Sequence, residues 1–146
     1  MATVETLLKH KGHEVWHIGP DDSVLDAIRL MDEKGVGALA VLHEGTLVGI
    51  ISERDYARKV ILRGRSSKDT PVRDIMTRKV FHVLADESVE NCMLTMTRQH
   101  IRHLPVMDSG RLIGMISMGD VVRHIIASQQ DQIKHLEHCL IWEETY

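Results

Sequence analysis

An internal duplication constrains the fold of this chain more than any other feature of its sequence. Residues 15–61 align onto residues 80–126 at a fixed offset of 65 residues without a gap, and 16 of the 47 aligned positions are identical. A unit of this size buries too little apolar surface to offset the conformational entropy lost when it orders. The two copies are therefore expected to pack against each other around a shared core.

Each copy shows the same succession of strand and helix signals. In the first copy, the short apolar run 15–18 is a strand candidate. Ser23 then caps a predicted helix that ends at Gly35, with apolar residues recurring at i, i+3, i+4 and i+7. Two strand-like runs at 38–42 and 46–51 form a hairpin and lead into a second helical run. The sequence predicts an α+β fold of two β-α-β-β-α repeats packed as a pseudo-twofold pair.

The chain divides into four predicted segments, and a short helical lead-in precedes each repeat. A polar stretch between the copies is typical of a linker. The last segment continues helically with Ile133, Leu136 and Leu140 on one face, which packs either against its own body or against a partner. The predicted boundaries are 1–62 for the first repeat with its lead-in, 63–71 for the linker, 72–126 for the second repeat and 127–146 for the C-terminal helix.

Composition is ordinary for a soluble globular protein, with 43% apolar and 27% charged residues. A net charge of -3 argues against nucleic-acid binding, which favours a basic face. The apolar runs fall well short of the roughly 20 residues of a membrane-spanning helix. The first ten residues lack the pattern of a secretory signal, so a cytoplasmic location is expected. Cys92 and Cys139 are too few for a disulfide framework, and Cys92 is expected to be reduced and structural.

The residues best suited to bind a ligand lie where a strand meets a helix in each copy. Segment 49–55 reads Gly-Ile-Ile-Ser-Glu-Arg-Asp, and segment 114–120 reads Gly-Met-Ile-Ser-Met-Gly-Asp. Unpaired N–H groups at a helix start favour a phosphate, and the serine hydroxyl can bind phosphate or sugar. The aspartate can accept two ribose hydroxyls, and the glycine permits close backbone approach. The alternative is a duplicated capping box, which opens ordinary helices without any ligand.

This repeated motif after a hairpin, together with Ile-Arg-His-Leu-Pro-Val at 101–106, resembles a tandem cystathionine-β-synthase (CBS) domain pair of the stand-alone bacterial type. The resemblance covers nearly the whole chain. It implies adenosine-nucleotide sites in clefts between the repeats, with Asp55 and Asp120 on ribose and Ser52 and Ser117 near ribose or phosphate. It also implies that the base is held near 15–18, 36–38, 76–83 and 101–103. The further site residues that it implicates are Val15, His17, Ile18, Val36, Gly37, Ala38, Met76, Thr77, His82, Arg102, His103 and Pro105.

The two copies place their positive charges differently. Arg54 stands beside the first aspartate where the second copy has Gly119, and Arg102 and His103 replace the small pair at 37–38. Arginine binds phosphate in a bidentate geometry. We therefore hypothesise that Arg54 serves the phosphates in one cleft, that Arg102 and His103 reach a phosphate from the facing repeat, and that the clefts are chemically unequal.

These features predict a non-catalytic regulatory module that binds AMP, ADP, ATP or NAD(H) and acts on an unidentified partner by changing conformation. Aspartate recognition of ribose would also suit S-adenosylmethionine, so the number of phosphates stays open. No catalytic cofactor is expected. A homodimer is expected, because CBS pairs commonly associate through helices.

Two alternatives belong to other classes of protein. One is an enzyme that hydrolyses a nucleotide or transfers a phosphoryl group, although the sequence has no recognisable nucleophile motif or Walker-type loop. The other is a metal-binding protein, because the segment His135-x-x-His138-Cys139 places two histidine ligands at i and i+3 on a predicted helix. That spacing alone lacks the third and fourth ligands of a structural zinc site.

Overall fold

The computed structural model describes the backbone of residues 2–145 and the side chains of residues 2–139. The first repeat has the predicted β-α-β-β-α order. Its β2 pairs in parallel with β1 and antiparallel with β3. Its elements are β1 (His17–Ile18), α2 (Val24–Lys34), β2 (Ala38–His43), β3 (Thr46–Ser52) and α3 (Glu53–Tyr56), which continues as a π-helical turn over Ala57–Ile61.

The second repeat has the same order and the same strand register. Ala38 pairs with Ser52 in the first sheet, and His103 pairs with Ser117 at the corresponding positions of the second. Both hairpins turn through two residues of positive φ, Ser109 and Gly110 in the second, as type I′ turns require. The elements are β4 (Val83–Leu84), α4 (Val89–Gln99), β5 (His103–Asp108), β6 (Arg111–Ser117) and α5 (Met118–Thr145).

The predicted caps of the first long helix are present. The Ser23 hydroxyl accepts from the backbone N–H of Asp26, and Gly35 adopts the left-handed conformation that ends helices. In the second repeat His100 takes the left-handed position with φ of 55°. An imidazole side chain therefore projects from this turn where the first repeat has a glycine.

The two lead-ins are exchanged: each one packs in the core of the repeat that it does not directly precede. Helix α1 (Val4–Lys11) buries Val4, Leu7 and Leu8 in the core of the second repeat, although its sequence position assigned it to the first. The 3-10 turn Val72–Asp74 and the residues after it pack in the core of the first repeat. Matching backbone bonds hold both: Val4 N–H donates to Glu87 O at 2.9 Å, and Val72 N–H donates to Asp22 O at 2.8 Å. Neither repeat completes its core alone, as the duplication predicted.

Helix α5 joins the last helix of the second repeat to the predicted C-terminal segment without a break. Ile133 is 54% exposed and Leu136 is 62% exposed, so this part of the apolar stripe does not pack on the body. Leu140, the third predicted member, lies outside the described side chains. Within the described residues, none of the helices combines the length and the hydropathy that crossing a membrane requires.

Both cysteines have free thiols. Cys92 is fully buried in the second core, as predicted for a structural residue. Burial first, and then Glu87 and Glu90, raise the pKa of its thiol to about 11. The thiol is therefore protonated at neutral pH and unreactive.

Candidate functional site

A cleft of about 510 Å³ opens between the two repeats beside Asp55, and we refer to it as the Asp55 cleft. The first repeat contributes the end of β3 and the start of α3, and the second contributes the turn before β5. The segment after the 3-10 turn closes one side. The lining residues are Gly37, Ile50, Ser52, Glu53, Arg54, Asp55, Thr77, Lys79, Val80, Phe81, His100, Ile101, Arg102 and His103.

The Ser-x-x-Asp motif at this cleft forms a complete capping box. Ser52 Oγ accepts from Asp55 N–H at 3.2 Å, and Ser52 N–H donates to Asp55 Oδ2 at 3.0 Å. The carboxylate of Asp55 is held against the cleft wall with the residue only 8% exposed. Its Oδ1 accepts from Thr77 Oγ1 at 3.3 Å and pairs with Lys59 Nζ at 3.0 Å. The motif thus caps the helix and fixes the carboxylate in the cleft.

The glycine before the motif serves the chain itself. A Cβ at Gly49 would lie 2.8 Å from Met76 Sδ and 2.9 Å from Thr77 O. This close approach lets Ile50 and Thr77 exchange two backbone hydrogen bonds of 3.0 and 2.8 Å. The segment after the 3-10 turn is therefore bound to the edge of β3, which positions Thr77 and the next residues along the cleft.

Three exposed cations surround the cleft: Arg54, Lys79 and Arg102. Arg54 Nη1 donates to His100 O at 2.8 Å, and Lys79 Nζ lies 6.0 Å from the centroid of the Phe81 ring. In the described part of the chain, none of the three lies within 4.0 Å of a carboxylate oxygen. The guanidinium and ammonium groups are therefore free to bind an anion.

His103 lies in the same cleft in its neutral form. Burial first, and then the positive charges of Lys11 and Arg102, lower the pKa of its imidazole to about 4, although Asp120 acts in the opposite direction. The ring can exchange hydrogen bonds at neutral pH but carries no charge for a phosphate. The positive charge that the sequence suggested for this position is thus absent, because the side chain is desolvated and the charges of Lys11 and Arg102 outweigh that of Asp120.

The second motif repeats the backbone geometry of the first but has different partners. Ser117 N–H donates to Asp120 Oδ2 at 2.8 Å, and Asp120 N–H donates to Ser117 Oγ at 3.1 Å. Lys11 Nζ also donates to Oδ2 at 2.6 Å, and Arg123 Nη2 donates to Oδ1 at 2.6 Å. Burial alone would raise the pKa of Asp120, but the hydrogen bonds from Lys11 and Ser117 outweigh it and hold the pKa below its ordinary value.

Asp120 borders a different space, a groove of about 1060 Å³ between α1 and α5 that we call the α1–α5 groove. The predicted site residues are thus divided. Gly37, Ser52, Arg54, Asp55, Thr77, Arg102 and His103 line the Asp55 cleft, and Asp120 lines the groove. The others line neither space: Val15, His17, Ile18, Val36, Ala38, Met76, His82, Pro105 and Ser117.

His100 and Lys11 are among the residues at these sites that were not predicted. His100 enters the Asp55 cleft because it ends α4 in the left-handed conformation, a position where glycine is usual. Its alignment with Gly35 is the signal that could have drawn attention to it. Lys11 reaches Asp120 only because the lead-ins exchange, and nothing in the local sequence indicates that contact.

The histidine cluster near the C-terminus has little of the geometry of a metal site. Cys139 Sγ lies 3.8 Å from His135 Nε2, and both side chains are exposed. Across the described residues, no group of three or more His, Cys, Asp or Glu side chains is placed to hold a metal ion.

The duplicated β-α-β-β-α architecture has exchanged lead-ins and a capped carboxylate in the inter-repeat cleft, and it defines a domain built from two paired repeats. The family model of the CBS domain matches residues 12–62 and 72–127. The chain therefore belongs to the CBS-domain family and is a tandem pair.

Known proteins share this architecture over most of the chain. The mitochondrial CBS domain-containing protein CBSX3 of Arabidopsis thaliana is 42% identical over 145 residues, which cover 92% of this chain and 70% of the relative. A putative signal-transduction protein with CBS domains from Burkholderia ambifaria is 50% identical with a TM-score of 0.85, over 88% of this chain and 96% of that one. The CBS pair of protein MJ0100 was solved with 5-methylthioadenosine and S-adenosyl-L-methionine; it is 25% identical with a TM-score of 0.79, over 88% of this chain and 98% of that one.

Proposed function

We propose that this protein is a regulatory module that binds a phosphorylated adenosine ligand in the Asp55 cleft and does not transform it. The observation that carries the proposal is the combination of one fixed carboxylate and three cations without carboxylate partners around a single cleft. A carboxylate accepts hydrogen bonds from ribose hydroxyls, and guanidinium groups bind phosphate. The MJ0100 pair was solved with two adenosine ligands that carry no phosphate, so it supports the adenosine part of this proposal, and the three cations support the phosphates.

The ligand is expected to lie across the cleft with its ribose on Asp55. The apolar wall of Val80, Phe81 and Ile101 offers a surface for the adenine ring. Arg54 and Arg102 would then face the phosphates from opposite repeats. ADP and ATP place more negative charge there than AMP, so they are expected to bind more tightly.

The cleft is better suited to recognition than to catalysis. Ser52, Thr77 and Lys59 hold the carboxylate of Asp55 in a fixed position, and each of its oxygens can accept a further hydrogen bond from a ribose hydroxyl. A ligand that touches both repeats instead favours one relative arrangement of them. The ligand can shift the equilibrium between two arrangements of the repeats only by the difference between its affinities for them, which limits its effect on a partner.

We propose that the chain also binds a second copy of itself. Val122, Ile126, Ile133 and Leu136 are all more than 40% exposed on α5. Their spacings of four, seven and three residues match the seam of a coiled coil, in which each helix covers the apolar stripe of another. A homodimer through α5 would cover this face.

The direct test of the proposed function is calorimetric titration with AMP, ATP, NADH and S-adenosylmethionine, followed by chromatography of the ligand. We expect stoichiometric binding with a preference for the phosphorylated ligands, and no product. Asp55→Asn should abolish binding, whereas Asp32→Asn on the exposed side of α2 should leave it unchanged. Turnover of ATP would favour the enzyme alternative, and no binding of any of these ligands would contradict the proposal.

A further inference from the structure

Lys11 is already bound where a ligand of the second motif would bind. Its Nζ donates to Asp120 Oδ2 and to Met115 O, both at 2.6 Å. We propose that Lys11 competes with ligand for Asp120 as a part of the same chain. The chain then has one adenosine site that is always accessible, at Asp55, and a second at Asp120 that becomes accessible only when Lys11 dissociates from the carboxylate. This inference rests on the proposed function of the Asp55 cleft.

The contact arises from a difference in length between the two lead-ins. The stretch of chain from Val4 to the start of the first repeat is three residues longer than the stretch from Val72 to the start of the second repeat. After the 3-10 turn the chain is extended, and Thr77 N–H binds Ile50 O at 2.8 Å. Helix α1 instead continues to Lys11, whose ammonium takes the carbonyl of Met115, the residue aligned with Ile50. A side-chain cation therefore replaces a backbone donor.

The lysine at the first motif is placed differently. Lys59 follows Asp55 by one helical turn, binds Oδ1, and also donates to Ile75 O at 2.9 Å. It does not line the Asp55 cleft. Lys11, in contrast, lines the same groove as Asp120. Lys59 therefore balances the charge of Asp55 from outside the cleft, and the carboxylate stays accessible from within the cleft.

Both oxygens of Asp120 have a cation within hydrogen-bond distance. Lys11 occupies Oδ2 and Arg123 occupies Oδ1, each at 2.6 Å, and the Asp120 side chain is only 8% exposed. A ribose hydroxyl offers a neutral hydrogen bond, which is weaker than the charge-assisted bond that it would have to replace. The tether also holds Lys11 at a high effective concentration. Ligand is therefore expected to be excluded from Asp120 while α1 stays docked.

The test is the number of ATP molecules bound per chain, measured by calorimetric titration. Wild type should bind one, Asp55→Asn none, and Lys11→Ala two. The double variant Asp55→Asn with Lys11→Ala should regain one site. Lys9→Ala is the matched control, because Lys9 lies on the same helix and is paired only with Glu5 in the described residues. That control should bind one.

Each outcome decides between the proposals. The role of Lys11 would be overturned if wild type bound two ATP per chain, or if the double variant bound no ATP while wild type bound one. Either result would leave the Asp55 site unaffected. No binding by any variant would overturn both. Thermal melts of each variant establish that it is folded, and Lys11→Met, which keeps the aliphatic stem, gives a second variant without the ammonium.

A measurement without ligand tests the contact itself. Amine acetylation, followed by mass spectrometry, should modify Lys11 several-fold more slowly than Lys9, whose side chain is 71% exposed against 33% for Lys11. Asp120→Asn should abolish that protection. Equal rates for the two lysines in wild type would overturn the proposal.

Discussion

Arg54 and Arg102 belong to different repeats and line the same cleft. The alignment of the copies places each arginine opposite a small residue, Gly119 and Gly37 respectively, so no arginine pair forms at the second motif. An anion between them would neutralise a charge on each repeat. Binding and the relative position of the repeats are therefore expected to be coupled.

Removal of either arginine should weaken binding of ATP more than binding of AMP. The loss of a hydrogen bond to a charged group costs about 1.5–3 kcal/mol, which corresponds to a decrease in affinity of roughly ten- to a hundredfold. Calorimetric titration of Arg54→Ala and Arg102→Ala measures this decrease. Arg98→Ala, at an exposed position of α4, is the control and should leave both affinities unchanged.

Gly49→Ala should destabilise the fold more than Gly114→Ala. The added Cβ at Gly49 meets the backbone oxygen of Thr77 at 2.9 Å, whereas at Gly114 it meets only the ends of the Leu8 side chain, the nearer at 2.8 Å. The buried Leu8 side chain can change its rotamer at a cost, whereas the backbone of Thr77 cannot move without breaking its two hydrogen bonds with Ile50. Overpacking of this kind costs about 1–3 kcal/mol, measurable by urea unfolding. Equal losses for the two variants would contradict this explanation.

His103 should make the fold sensitive to mild acid. Its pKa is lowered to about 4 in the folded state, so between that value and about 6.5 the unfolded chain binds more protons. Stability should fall as the pH decreases through this window, by about 3 kcal/mol at most. His103→Gln should flatten the dependence of unfolding free energy on pH. His43→Gln, at an exposed strand end, should not, and an unchanged slope in His103→Gln would be evidence against a buried neutral imidazole.

The exposed stripe of α5 should govern self-association. Ile133→Glu and Leu136→Glu introduce charge into an apolar seam and should shift the protein toward monomer. Light scattering after size-exclusion chromatography measures the mass directly. Lys134→Glu adds the same charged side chain next to the stripe and serves as the control. A dimer that survives both stripe substitutions would place the contact elsewhere.

The sequence predicted those parts of the structure that depend on neighbouring residues or on the repeat itself. Ser23 and Gly35 mark their helix ends, and the spacing of Ser52 and Asp55 predicts the capping box, because caps are formed within one turn of chain. The contact between Lys11 and Asp120 was not predictable in this way. It joins residues 109 positions apart and depends on the exchange of lead-ins, which only tertiary packing determines.

The position of Arg54 and Arg102 in one cleft was predictable from the sequence only in part. The asymmetry of Arg54 and Arg102 is visible from the alignment, but their common cleft depends on how the two sheets pack through β3 and β6. The neutral state of His103 depends on the same packing, because burial and the charge of Lys11 lower its pKa. Sequence reasoning therefore identified the chemical groups better than their electrostatic state.

The proposed function requires the Asp55 cleft to bind a phosphorylated adenosine ligand. The most direct measurement is calorimetric titration of ATP into wild type and Asp55→Asn, with the Asp32→Asn control. Saturable binding of one ATP per chain in wild type and in the control, lost in Asp55→Asn, is the expected result. Binding that is unchanged in Asp55→Asn, or absent from wild type for ATP, AMP and NADH alike, would contradict the claim.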